Sequence, residues 1–218
     1  MTAFVLKYRL PSDIIMKDKT IGPLQDAREA MRFIRRNASE LGINPTTVGV
    51  MGFSAGGHLA AKLSTHYKQR TYETKDETSA RPDFSILIYP VISMKNEITY
   101  KGSKTNLLSD NPSDEMIMEY SNELHITENT FPAFIIHACN DKSVHVENSI
   151  QYFIALKKNN VPVELHIYEK VGHGFGLGIN GTSKSWTLDC EKWLKSMNIP
   201  ISKTIMKDKF RLCGVLLN

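Results

Sequence analysis

Short apolar runs alternate along the chain with segments in which apolar residues recur every three or four positions. The apolar runs that predict strands cover residues 47–53, 84–89, 132–138 and 163–168. Helical spacing follows in the segment that begins at Pro23 and in residues 58–68, 146–158 and 183–197. This alternation is typical of βαβ units, and it predicts an α/β fold with a mostly parallel sheet flanked by helices.

The junction between the run 47–53 and the helical segment after it has the sequence Gly52-Phe53-Ser54-Ala55-Gly56. This G-x-S-x-G pattern predicts a nucleophile elbow, a sharp strand-to-helix turn that projects a serine hydroxyl. The outer positions are glycines because side chains there would clash with the strained turn. The same pattern also occurs by chance in glycine-containing loops, so it needs support from elsewhere in the chain.

A candidate acid and a candidate base follow in the order that such a serine requires. Asp141 comes after the strand-like run 134–138, and His173 comes after the run 163–168. The carboxyl ends of parallel strands bring distant side chains together, so Ser54, Asp141 and His173 are expected to converge there. Taken singly, Asp141 has an alternative role as a turn or helix-capping residue and His173 as an ordinary loop histidine.

Four stretches resemble the α/β-hydrolase superfamily, and within it the bacterial acetylxylan esterase-like and feruloyl esterase-like carbohydrate esterases. They are V-M-G-F-S-A-G-G-H-L-A at 50–60, L-I-Y-P-V-I-S-M at 87–94, residues 141–149 and residues 165–175. The resemblance extends over about residues 4–193. It implies a serine ester hydrolase in which Ser54 is the nucleophile, His173 the general base and Asp141 its partner. The backbone N–H of Ala55 would be one donor of the oxyanion hole.

The chain departs from this family at its beginning. A complete domain has about three more strands and an H-G-G-G-type loop that supplies a second oxyanion donor, whereas residues 3–11 resemble the family's fourth strand. We therefore expect an N-terminally truncated α/β-hydrolase fold. Either the first strand moves beside residues 47–53 or a gap leaves unpaired strand edges, which offer a route to self-association.

The sequence predicts one incomplete domain over residues 1–198 and a basic tail over residues 199–218. The tail carries four basic residues and one acidic residue, a net of +3 out of the formal +4, so the body is close to neutral and lacks the basic face of a nucleic-acid-binding protein. We expect this tail not to complete the core, although Leu212, Val215, Leu216 and Leu217 can dock on a bare surface. Residues 92–130 form a polar insertion with one helical candidate at 114–120, either a lid or a plain surface loop.

The cysteines and the apolar runs bear on metal sites, disulfides and membrane association. The three cysteines are odd in number and lack C-x-x-C spacing, so they predict neither a disulfide framework nor a zinc site, and no cofactor is expected. The sequence has no apolar run of membrane-spanning length and no signal-peptide pattern at its start. Since the start is expected to be truncated, the compartment stays open.

Two functional hypotheses from different classes remain. The first is an active serine carboxylic ester hydrolase that acts on small or carbohydrate-linked esters, such as acetylated or feruloylated carbohydrates. The second is a catalytically poor fragment that acts at most as a binding or association module. A serine peptidase of the same fold is a weaker third hypothesis, because the residues around Ser54 resemble the esterase branch.

Overall fold

A computed structural model describes residues 2–74, 76–178, 181–199 and 214–217, and these form a parallel sheet of six strands with helices on both faces. The strands are β1 (Ala3–Leu6), β2 (Gly49–Phe53), β3 (Ser85–Ile88), β4 (Ala133–Ala138), β5 (Val163–Tyr168) and β6 (Gly214–Leu217). The helices are α1 (Gly22–Arg36), α2 (Ser54–His66), α3 (Lys101–Leu108), α4 (Asp114–Glu119), α5 (Glu147–Lys158) and α6 (Trp186–Ser196). Short 3₁₀ turns lie at Asn122–Leu124 and Gly181–Ser185. This is the α/β fold with a parallel sheet flanked by helices that the sequence pattern predicts.

The strand order is β1-β6-β2-β3-β4-β5, and every neighbouring pair is parallel. The central strands β3 and β4 are buried along their whole length. Strands covered on both faces have no solvent side, so their sequences are mostly apolar instead of alternating; Ser85 and His137 are the buried polar residues of β3 and β4. Among the described residues, no helix combines the length and the apolar character needed to cross a bilayer.

The two faces of the sheet pack against different helices. On one face the buried core contains Leu24 of α1, Leu63 of α2, Tyr152 of α5 and Ile135 of β4. The opposite face packs against α6. Its buried residues include Trp186, Trp193, Phe84, Phe134 and Ile136. The sheet is therefore the middle of three layers, and its strand ends are fixed by packing from both sides.

The C-terminal strand corrects the expectation that the tail does not complete the core. Residues 214–217 lie between β1 and β2 and pair with both, with Val215 opposite Phe4 on one side and Val50 on the other. Neither the direct pairing of the first strand with β2 nor a gap is observed. Buried backbone N–H and C=O groups need partners, and β6 supplies them to both neighbours. Ile199 packs against the core on the α6 face, and the other tail residues, 200–213 with Leu212 and residue 218, lie outside the described residues.

The polar insertion at residues 92–130 contains more regular structure than the sequence predicted. It contains α4, which the sequence predicted, and α3, which it did not. Val91, Met94, Leu108 and Tyr120 form a small apolar cluster with Val144, next to the turn that holds Asp141. The insertion thus packs against one side of the region where the candidate residues lie.

Candidate active site

Ser54 lies at the turn between β2 and α2 in a conformation that few residues other than glycine adopt. Its φ is +50°, in the left-handed region. A Cβ on Gly52 would lie 2.5 Å from the Gly56 carbonyl carbon, and one on Gly57 would lie 2.6 Å from Pro90 Cβ. Glycine at position 52 lets the first turn of α2 lie close to β2, and glycine at position 57 lets it lie close to the segment after β3. Residues held in such strained turns cluster at active sites.

The three candidate side chains form one line of hydrogen bonds. Ser54 Oγ lies 2.9 Å from His173 Nε2, and His173 Nδ1 lies 2.6 Å from Asp141 Oδ2. Because a carboxylate only accepts, the Nδ1 proton points to Asp141 and the Nε2 lone pair faces the serine hydroxyl. This arrangement allows His173 to receive the proton of Ser54.

Asp141 is held as a carboxylate by donors on both of its oxygens. Its Oδ1 accepts from the backbone N–H groups of Ser143 and Val144, both at 2.9 Å. Burial raises the pKa of Asp141, but hydrogen bonding by His137, His173 and these two N–H groups outweighs it and leaves the pKa well below its ordinary value. The side chain is therefore charged over the whole neutral range and can stabilise an imidazolium at His173.

The loop that carries His173 depends on backbone freedom and on an asparagine. Gly172 and Gly174 flank the histidine with φ of +67° and +75°, and a methyl group at either would meet nothing within 4 Å. Glycine is favoured at both positions because of the positive φ, and not because a side chain would clash. Asn140 Oδ1 accepts from the N–H groups of Val171 at 3.1 Å and Gly172 at 2.9 Å, which ties this loop to the turn of Asp141.

Tyr89 is a second residue of the site that the sequence analysis did not single out. Its ring packs edge-on against the His173 ring, with centroids 4.8 Å apart, and its hydroxyl accepts from the Gly176 N–H at 3.2 Å. Its own φ is +37°, another strained position at the end of a strand. Neither Tyr89 nor Asn140 stands out in sequence, since their roles depend on contacts between distant segments.

Ala55, the candidate oxyanion donor, is exposed in the first turn of α2. The N–H groups of a first helical turn have no acceptor inside the helix, and they lie at the positive end of the helix dipole. His58, farther along α2, is buried, and its Nε2 lies 2.9 Å from the Tyr120 carbonyl oxygen. It therefore joins α2 to the insertion and lies apart from the hydrogen-bonded line.

His66, Glu119 and His125 also place potential metal-ligating atoms within 4.8 Å of one another. The ammonium of Lys62 lies 3.0 Å from both Glu119 Oε1 and His66 Nε2, and it donates to the Glu119 carbonyl oxygen at 2.6 Å. The buried Lys62 ammonium therefore already pairs with Glu119 and His66, and His125 Nε2 lies 2.9 Å from the Met118 carbonyl oxygen. We assign this cluster the role of an ion pair that fastens α4 to α2.

The BD-FAE family model matches residues 3–156, and the dienelactone hydrolase family model matches residues 117–199. The chain is 40% identical over 202 residues to an acetylxylan esterase of Xylanibacter ruminicola, a match over 90% of this chain and 39% of that protein. It is 37% identical over 191 residues to endo-1,4-beta-xylanase B of Butyrivibrio fibrisolvens, over 86% of this chain and 29% of that protein. The chain thus spans well under half the length of these two relatives.

The structure is similar to that of the acetyl ester-xyloside bifunctional hydrolase from Caldicellulosiruptor lactoaceticus. The TM-score is 0.81 at 40% sequence identity, with 89% of this chain and 71% of that chain covered. A carboxylesterase of Lactobacillus plantarum has a TM-score of 0.75 at 22% identity, which shows the shared fold alone.

Proposed function

We propose that this chain, which belongs to the BD-FAE family, is a serine carboxylic ester hydrolase. The observation that carries the proposal is the continuous line from Ser54 Oγ through the His173 ring to Asp141, with distances of 2.9 and 2.6 Å. A nucleophile, its base and the group that orients the base are all within hydrogen-bonding distance, as acyl transfer requires.

The reaction we propose has two halves. Ser54 Oγ attacks the ester carbonyl carbon while His173 Nε2 takes the hydroxyl proton, and the C–O bond to the leaving alcohol then breaks as His173 returns that proton to the alcohol. In the second half, water gives a proton to His173 as it attacks the acyl carbon, and the bond from that carbon to Ser54 Oγ then breaks as His173 returns the proton to Oγ, which releases the acid and restores Ser54. Asp141 orients the ring and stabilises its charged form throughout.

The Ala55 N–H is our candidate for one donor to the oxyanion that forms in each half. It follows the nucleophile at the start of α2, where the helix dipole also favours negative charge. The sequence contains no H-G-G-G stretch to supply a second donor. Loss of one such donor typically lowers the rate by about 10² to 10³. We therefore expect slow turnover of this chain by itself.

The substrate class that we propose is acetyl esters of small alcohols and of xylan-type carbohydrates. The support comes from the names of the relatives, one an acetylxylan esterase and another an acetyl ester-xyloside hydrolase. Feruloyl esters are the second carbohydrate ester to test, since the sequence also resembles feruloyl esterases. Peptide substrates test the weaker peptidase hypothesis.

The decisive experiment measures turnover and active-serine labelling together. We expect p-nitrophenyl acetate hydrolysis that Ser54→Ala abolishes, and a fluorophosphonate adduct that mass spectrometry places on Ser54. Ser64→Ala is a matched control, because Ser64 is a buried α2 serine whose hydroxyl donates to the Ala60 carbonyl oxygen in its own helix. Labelling without turnover would favour the catalytically poor alternative, and absence of both would refute a serine hydrolase.

A further inference from the structure

His137 is a buried histidine of β4 that contacts Asp141 at the same carboxylate oxygen as His173. We infer that His137 is a positioning residue that fixes and polarises Asp141, so that it sets the pH at which His173 becomes an active base. This inference rests on the proposed function, because it assigns His137 a role in the same proton transfer.

The geometry places two imidazole rings on one carboxylate oxygen. His137 Nε2 lies 3.3 Å from Asp141 Oδ2, the oxygen that also bonds to His173 Nδ1 at 2.6 Å. The side chains of His137 and Asp141 are both fully buried. Water therefore does not replace His137 as a neighbour of this oxygen, and any change at His137 is felt by Asp141 at low local dielectric.

The contacts of His137 also determine which ring nitrogen carries its proton. Nε2 lies 2.9 Å from the Val144 carbonyl oxygen, which only accepts, so Nε2 bears the hydrogen. Nδ1 lies 2.7 Å from Ser149 Oγ of α5, and the serine hydroxyl donates to it. Both nitrogens are satisfied in the neutral ring. The N–H dipole at Nε2 is thus held with its positive end toward Val144 and Asp141.

A positive dipole beside Oδ2 makes that oxygen a weaker base. Removing it leaves more negative charge to stabilise protonated His173, so the ring keeps its proton to a higher pH. In the part of the chain that the structure describes, Tyr89 is a further ionisable side chain in contact with the pair; it packs on the His173 ring from the end of β3 and is unchanged in the variants below. His137 therefore tunes His173 through Asp141 without touching Ser54.

The test is the pH profile of kcat/KM for His137→Leu, His137→Gln and the wild-type chain. In the leucine variant we expect the acidic limb to move up by roughly 0.5 to 1 pH unit. We expect kcat to fall about 10-fold with KM nearly unchanged. Glutamine carries an amide N–H near the position of Nε2, so the acidic limb of His137→Gln should lie close to its wild-type pH. Ser149→Ala should shift the limb in the same direction as His137→Leu but by less, since losing the hydroxyl that donates to Nδ1 weakens Nε2–H as a donor while Val144 still holds the tautomer.

The matched control is His58→Gln, which changes another buried histidine bonded to a backbone carbonyl but away from Asp141. It should lower stability without moving the limb. If His137→Leu lowers stability and rate at every pH and leaves the limb in place, His137 is structural and the inference is overturned.

A second readout keeps the inference separate from the proposed function. The ring protons of His173, assigned by comparison with His173→Gln, can be followed by NMR titration in the wild-type and leucine chains. We expect the same upward shift of the His173 midpoint whether or not the chain turns over esters. Absence of wild-type turnover would count against the proposed function alone, whereas an unshifted His173 midpoint would refute the role of His137.

Discussion

Replacing Gly52 by alanine is the sharpest test of how the fold positions the nucleophile. The added Cβ would lie 2.5 Å from the Gly56 carbonyl carbon and 2.8 Å from the Gly57 nitrogen, and would also clash with the Gly56 carbonyl oxygen. All three are backbone atoms of the first turn of α2, so no side chain can rotate away. The steric conflict can be relieved only by separating α2 from β2.

The required movement follows from these distances. Non-bonded heavy atoms are most favourable at about 3.5 to 4.0 Å, so the first turn of α2 must move by about 1 Å. Overpacking of this kind typically costs about 1 to 3 kcal/mol. Ser54 lies between the two displaced elements, 2.9 Å from His173. A misplacement of about 1 Å at a reacting group can lower the rate about 10²-fold.

The assay compares thermal unfolding, kcat/KM for p-nitrophenyl acetate and the rate of fluorophosphonate labelling. Gly42→Ala is the matched control, because Gly42 has φ +62°, an added methyl group there would meet no atom within 4 Å, and the residue lies away from the site. Its cost is conformational, about 1 to 2 kcal/mol. We expect both variants to be destabilised and only Gly52→Ala to lose activity and labelling. If the Gly52→Ala variant were labelled by the fluorophosphonate at the wild-type rate, the claim that this contact positions Ser54 would be refuted.

Three further predictions concern the sheet, a buried histidine and the loop of the base. Truncation after residue 213 removes β6 (Gly214–Leu217), which pairs with two strands, and should lower the melting temperature by more than several degrees; an unchanged value would contradict the structure. Burial lowers the pKa of His58 to about 4, so the unfolded chain binds the extra proton first and stability should fall by about 3 kcal/mol as the pH falls from about 6.5 to 4. Urea unfolding at several pH values should show a flatter profile for His58→Gln, and equal slopes would rule out His58 as the source. Asn140→Ala removes the acceptor of the Val171 and Gly172 N–H groups and should lower kcat/KM about 10-fold with little change in melting temperature, whereas unchanged kinetics would show that the loop holds His173 without it.

Features fixed by short-range chemistry were accessible from the sequence. The turn at Ser54 requires glycines within a few residues of it, and the pattern G-x-S-x-G states that requirement locally. Asp141 and His173 follow strands, and parallel strand ends gather at one edge of a sheet. The contacts of Asn140 and Tyr89 depend instead on how distant segments align, which no local pattern records. His137 contacts residues four to twelve positions away, but only the fold of the turn after β4 brings their polar atoms together.

Helix α3 was missed because its stability is not local. Its sequence K-G-S-K-T-N-L-L contains a glycine and shows weak helical periodicity, so propensity alone does not predict it. Leu108 packs into the cluster around Val144, and Lys104 donates to Asn96 Oδ1 at 2.7 Å. Tertiary contacts of the insertion thus stabilise a helix that the isolated segment would not form.

The C-terminal strand shows why averaging charge over a segment can mislead. The basic residues of the tail lie at positions 203–211, whereas Gly214–Leu217 is uncharged. A parallel sheet strongly favours filling an open position beside β2, since each unpaired buried backbone group costs free energy comparable to a lost hydrogen bond. A short apolar segment is sufficient to fill it. With β6 in place, β2 has a partner on each side, so the strand that leads into Ser54 is held by β3 and by the last described residues of the chain.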